Sequence, residues 1–197
     1  ILVFKNLAYG LGSDIEKGVI QTYLSYPLKR CWILSAKLLS AIGLSLLILL
    51  GIQIPALYLL ASDIVAPHFG TVLLTYAANL SPILFISGII LLATLIVRRG
   101  GLALVLGIVL YFAFSIASSM LMFMAFATKS STTLQILSFF YPNTALSRYY
   151  GMQFYPGIEE VWAPTFPEVA LYTGASYLIA IFTFAIAYVY FCRRFGV

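Results

Sequence analysis

The chain has 197 residues, of which 62% are hydrophobic and only 9% charged, with a mean hydropathy of +1.04. Ordinary soluble domains carry roughly 25% charged residues, so a soluble globular fold is excluded. The net charge of +5 comes mostly from residues flanking the apolar runs, so it reports topology and not nucleic-acid binding.

The apolar runs are continuous, not alternating, which favours helices over a β-barrel. The expected fold is an all-α, polytopic transmembrane helical bundle: four complete spans, the end of an earlier one, and a cytoplasmic amphipathic helix. Ile1 to Leu11 is too short to cross about 30 Å of hydrocarbon, which takes roughly 20 residues. Residues 1–12 therefore read as the end of a truncated span, and the first residue, Ile1, implies a preceding segment.

Residues 13–31 form the surface element. On a helical wheel Ile15, Val19, Ile20, Tyr23, Leu24 and Tyr26 fill one half, while Asp14, Lys17, Gly18, Gln21, Thr22 and Ser25 fill the other. That pattern predicts a helix lying at a membrane surface over Ser13 to Tyr26. Ser13 and Glu16 have capping-box spacing, and Pro27 ends the helix because the residue before a proline avoids the α region. Glu16 falls in the apolar arc. It either caps the first turn or is held for a basic partner, on another chain or at Arg30 or Lys37.

The spans follow at 33–60, 71–97, 102–127 and 168–191. Pro55 predicts a kink in the first. Asn79, Ser81 and Pro82 lie inside the second, where a polar group must face protein or a water-filled path. Arg98-Arg99-Gly100-Gly101 reads as a tight turn. The third span holds Ala103/Gly107 and Ala113/Ala117 at the small-xxx-small spacing that lets helices approach closely. Residues 128–167 form an outer loop with one or two short interfacial or re-entrant helices, in which Tyr149, Tyr150, Phe154, Tyr155 and Trp162 suit an interface.

Lys17, Lys29 and Arg30 precede the first span with Lys37 just inside its near end, Arg98 and Arg99 separate the second from the third, and Arg193 and Arg194 follow the fourth. The positive-inside rule places 13–31, 98–101 and 192–197 in the cytoplasm of a cell-membrane protein. Cys31 and Cys192 lie beside these basic clusters and are expected as free thiols, because the cytosol keeps thiols reduced.

Residues 14–37 resemble the cytoplasmic segment after the second span in membrane subunits of ATP-binding-cassette exporters, the type 2 permease family. The matching positions are Glu16, Gly18, Leu24, Pro27, Arg30 and Lys37. The short arginine turn, the long outer loop and the basic C-terminus are similar too. The resemblance implies that the surface helix is a coupling helix docking on a separate ATPase subunit, with Asp14, Lys17 and Gln21 beside the matched residues. It also implies a second permease chain, identical or different, surrounded by membrane lipid.

No G-x-x-x-x-G-K-[ST] motif occurs, so no cofactor is expected in this chain; ATP and Mg would be bound by the partner ATPase. No Cys/His cluster has metal spacing and no nucleophile has a base nearby, so the chain is not expected to be an enzyme. The spans hold almost no ionisable residues, which argues for an external energy source. If a substrate path exists, Asn79, Ser81, Ser115, Ser118 and Ser119 would line it, and an apolar or amphipathic substrate fits. The alternative reading is a non-transport anchor or scaffold subunit.

Overall fold

The computed structural model describes residues 5–25, 30–154 and 161–194, and among them every regular element is helical. A π-helical turn, Lys5–Gly10, runs into α1 (Leu11–Glu16), followed by α2 (Val19–Ser25). The first long helix is composite: α3 (Arg30–Ile48), a π-helical turn at Leu49–Gln53, and α4 (Ile54–Leu60). Then come α5 (Ser62–Val65), α6 (Phe69–Val97), α7 (Gly100–Ala127), α8 (Ser131–Phe140), α9 (Asn143–Phe154) and α10 (Phe166–Arg194). Four segments are long and apolar enough to cross a membrane: Cys31–Leu60, Phe69–Val97, Gly100–Ala127 and Phe166–Arg193.

The expected proline effects take two forms. A proline has no N–H for the carbonyl four residues back. For Pro55 that carbonyl belongs to Gly51, inside the wide π-helical turn, so the helix continues without a break. For Pro82 it belongs to Ala78, and the hydroxyl of Ser81 donates to that carbonyl at 3.2 Å. Ser81 is fully buried and its polarity is used locally.

The chain divides into two compact units, residues 1–69, 87–109 and 183–197 in one and 70–86 and 110–182 in the other. In the first unit Leu34, Leu91, Leu95, Ala187 and Phe191 form the centre of a core that also takes in Leu11 and Ile20. Inside hydrocarbon a leucine gains little from leaving lipid, so close packing of small residues must hold such helices together. Three glycines provide it. A Cβ on Gly107 would lie 2.8 Å from Ile90, one on Gly88 would collide with Thr183, and one on Gly12 would lie 2.5 Å from the Cα of Gly100. Ala103, one turn before Gly107, is fully buried, so that small-residue pair is a packing face, whereas Ala113 and Ala117 are exposed.

In the second unit α8 starts beside the end of α7 and turns inward. Phe140 packs against Phe85, sixteen residues along α6, with ring centroids 5.8 Å apart. The next residue, Tyr141, hydrogen-bonds Ser118, ten residues before α7 ends at Ala127. Burial pushes the Tyr141 phenol above its ordinary pKa, the neighbouring Tyr111 adds to the rise, and the Ser118 bond opposes it. Residues 131–154 thus include two short helices whose junction at Phe140 and Tyr141 lies beside Phe85 of α6 and Ser118 of α7. Trp162 is no interface residue: it is 8% exposed, edge-on to Tyr172 at 5.6 Å in the core with Leu134 and Val169. Phe154's side chain and Tyr155 lie outside the described residues.

The carboxylate half of a capping box is made, but at the start of α10. The Thr165 N–H donates to Glu168 at 2.6 Å, and its hydroxyl donates to the same carboxylate at 3.0 Å. Thr165, Pro167 and Glu168 are the T-x-x-E signal that sets the start of this helix two residues before Glu168.

The Gly12–Gly100 crossing is backbone against backbone, so no side chain can yield. Gly12→Ala is expected to destabilise by about 1–3 kcal/mol, the usual range for overpacking, read as a lower thermal unfolding midpoint in detergent. Gly101→Ala, whose Cβ would meet nothing within 4 Å, should leave the midpoint unchanged or raise it.

Candidate coupling site

The segment from Ser13 to Ser25 is not one capped helix. α1 ends at Glu16, Lys17 is its C-cap, and Gly18 takes φ +73° before α2 begins. The Lys17 N–H reaches the Ser13 carbonyl at 2.9 Å and the Gly18 N–H reaches that of Ile15 at 3.2 Å. A glycine one residue past the C-cap in the left-handed region is a common way to end a helix, because other residues clash there. The carbonyl of Gly18 then accepts from the Thr22 N–H at 3.2 Å and starts α2. Gly18 therefore sets a corner, not a position on a polar face.

Ser13 does not cap either, since it lies inside α1, where Gly10 is the N-cap and makes no side-chain cap bond. Glu16 instead reaches across the chain: its Oε2 accepts from the Gly100 N–H at 3.3 Å. Gly100 opens α7, where the first N–H groups have no partner within the helix and carry partial positive charge. Glu16 is thus a side-chain cap for a helix 84 residues away. Of the basic partners expected for it, Lys37 is engaged elsewhere. Lys37 pairs with Asp14 at 2.5 Å, joining α1 to α3, and the side chain of Arg30 lies outside the described residues.

Two fastenings result. The Asp14–Lys37 pair is partly exposed, with side chains 25% and 41% accessible, so it contributes about 0–1 kcal/mol and acts chiefly on geometry. The second joins α1 to α7 through the Glu16 cap and the Gly12–Gly100 contact. A Cβ on Gly100 would meet the Ser13 nitrogen at 2.7 Å and the Tyr9 carbonyl oxygen at 3.0 Å, so the approach is closed from both sides. Gly100 follows Arg98, itself left-handed at φ 57°, whose N–H caps α6 on the Thr94 carbonyl at 2.9 Å.

Lys17, Gln21, Thr22, Tyr23 and Ser25 are exposed, while Ile20 is buried against Leu34 and Leu91. Of the other residues assigned to coupling, Pro27 and the side chain of Leu24 lie outside the described residues.

The five polar residues expected to line a path do not form one constellation. Asn79 donates to the Thr75 carbonyl at 2.9 Å, Ser81 to Ala78, and Ser118 and Ser119 to Ser115 at 2.9 and 3.0 Å. Each of these bonds stays within its own helix; Ser118 alone also reaches another element, at Tyr141. The second unit instead holds an open cleft of about 660 Å³ between the start of α6 and the α9–α10 region, bordered by Gly70, Leu74, Ala77, Tyr149, Tyr150 and Phe166. None of the five polar residues borders it. Its sequence signal was the Tyr149-Tyr150 pair, which reads equally as an interface belt.

No protein-family model matches the chain, and no curated protein and no solved structure is detectably similar to it. The geometry stands by itself.

Glu16→Ala should remove the cap on α7. The bond is long and Glu16 is exposed, so water can replace part of it, and the loss is expected near the low end of side-chain caps, about 0.5–1 kcal/mol. Glu16→Gln keeps an acceptor and should lose less. Gly18→Ala should lose about 1–2 kcal/mol through its left-handed backbone. Thermal unfolding of the three variants checks this ranking.

Proposed function

We propose that the chain is the permease subunit of an ATP-driven exporter, in which partner ATPase subunits push on the Ser13–Ser25 segment and the long helices alternate access across the membrane. The observation that carries this reading is the double fastening of that segment. A load applied to α1 reaches α3 through Asp14 and Lys37 and reaches α7 through Glu16, Gly12 and Gly100. A segment tied to one helix would only anchor; one tied to two can change their spacing.

The sequence supports the same reading through the resemblance at Glu16, Gly18, Leu24, Pro27, Arg30 and Lys37, and through spans nearly free of ionisable groups. On this proposal the segment, the Arg98–Arg99 turn and the C-terminus face the cytoplasm. The exposed Lys17 and Gln21 meet the ATPase, while Glu16 transmits instead of docking. A second permease chain completes the complex, and the substrate is apolar or amphipathic.

The test is ATPase activity of the purified membrane complex. Wild type should retain an ATPase with nucleotide-dependent, transport-coupled activity. Glu16→Ala should assemble normally yet lose coupling, whereas Lys17→Glu should weaken retention of the ATPase. If no ATPase is retained and Glu16→Ala behaves as wild type, the permease reading fails and the chain is a membrane anchor.

A further inference from the structure

The two cysteines depart from expectation. Read as free thiols, they are instead bonded to each other, their Cα atoms 5.3 Å apart across 161 residues of sequence. That spacing is within the range a disulfide needs, so the fold itself brings the pair together. Cys31 lies in the first turn of α3 and Cys192 in the last turn of α10. One turn away from each cysteine the contact repeats: the hydroxyls of Ser35 and Tyr188 are hydrogen-bonded at 3.2 Å. Beside these two rungs, Ile33, Leu34, Ala187 and Phe191 are buried in the same core. The helices are packed at this end whether or not the sulfurs are bonded.

We propose that Cys31 and Cys192 are a reversible redox modification site, a covalent latch between the start of α3 and the end of α10. The inference rests on the permease reading for its cytoplasmic placement and for its consequence. In a reducing cytoplasm the pair is a dithiol; the bonded form arises when the thiol–disulfide balance shifts. Both residues are partly accessible rather than sealed in the core, so a small oxidant reaches them. Basic residues flank both in sequence, Lys29 and Arg30 before one and Arg193 and Arg194 after the other. The thiolate is the attacking species in such an exchange.

The chemistry is thiol–disulfide exchange with a low-molecular-weight disulfide such as oxidised glutathione. One cysteine thiolate attacks a sulfur of that disulfide, forming a mixed disulfide and expelling one glutathione thiolate. The second cysteine thiolate attacks the protein sulfur of the mixed disulfide and expels the other. The two cysteine sulfurs lose two electrons in total, the oxidant gains them, and the two cysteine protons end on the two released glutathiones.

The bond ties α3 to α10 at the end where α3 also receives the Asp14–Lys37 link. A push delivered through that link can then no longer separate α3 from α10. Oxidation should therefore stop transport-coupled ATPase activity without removing the ATPase.

These 197 residues hold two cysteines, and adducts are counted above those of a variant with both replaced by serine. The purified complex is equilibrated in reduced and oxidised glutathione mixtures, quenched with acid and labelled with a maleimide–polyethylene glycol. Two adducts are expected under reducing conditions and none under oxidising ones, reversibly, with ATPase activity lost on closure and restored by dithiothreitol. Cys31→Ser can go only as far as the mixed disulfide. It should carry one adduct under reducing conditions and none, with one glutathione bound, under oxidising ones, keeping its activity in both. Wild type should lose both adducts without gaining glutathione mass. The inference is overturned if wild type keeps two adducts in fully oxidised glutathione, or if the bond closes and activity is unchanged. If the complex has no ATPase activity in either buffer, the permease reading falls. The latch then stands or falls on whether the adduct count closes and reopens.

Discussion

The contact between Gly12 and Gly100 is the constraint on which the first unit depends. Two backbones approach so closely that neither residue can carry even a methyl group, and that approach sets everything built around it. It places the Glu16 carboxylate within reach of the first N–H of α7 and carries Ile20 into the core beside Leu34, Leu91 and Leu95. In lipid this kind of contact outranks hydrophobic burial, because hydrocarbon competes for every leucine. The same logic recurs at Gly88 against Thr183 and at Gly107 against Ile90.

A second theme is local repair of the backbone. Where a long apolar helix loses a hydrogen bond, no water is at hand to replace it. Ser81 serves the carbonyl freed by Pro82, and a π-helical turn absorbs Pro55. Ser35, Ser45, Thr75, Thr94 and Thr173 likewise return their hydroxyls to the carbonyl four residues back. Polar residues in these helices are therefore used within the helix first.

This explains what the sequence revealed and what it did not. The long apolar helices follow from composition and length alone, and the R-R-G-G turn follows from glycine and the end of an apolar run. The break at Gly18 had a local signal, a glycine just past a helical turn, which the amphipathic pattern on both sides obscured. The capping partner of Glu16 had none, since Gly100 is distant in sequence and S-x-x-E spacing at Ser13 offered a nearer, incorrect solution. The T-x-x-E at Thr165 is where a glutamate does take the N–H three residues back, behind a loop rich in proline. The meeting of Cys31 with Cys192 depends on how α3 and α10 pack, and periodicity carries no information about that.

If α1 is a lever fastened to α7, the two must move as one body whatever happens to the spans. Spin labels at Lys17 and Leu102, in a chain with Cys31 and Cys192 replaced by serine, would report their separation directly. The account predicts one narrow distance distribution, unchanged when the ATPase partner is added with or without nucleotide. A broad distribution, or one that shifts with nucleotide, would show that Glu16 and Gly12 do not hold α1 to α7 and would contradict the lever.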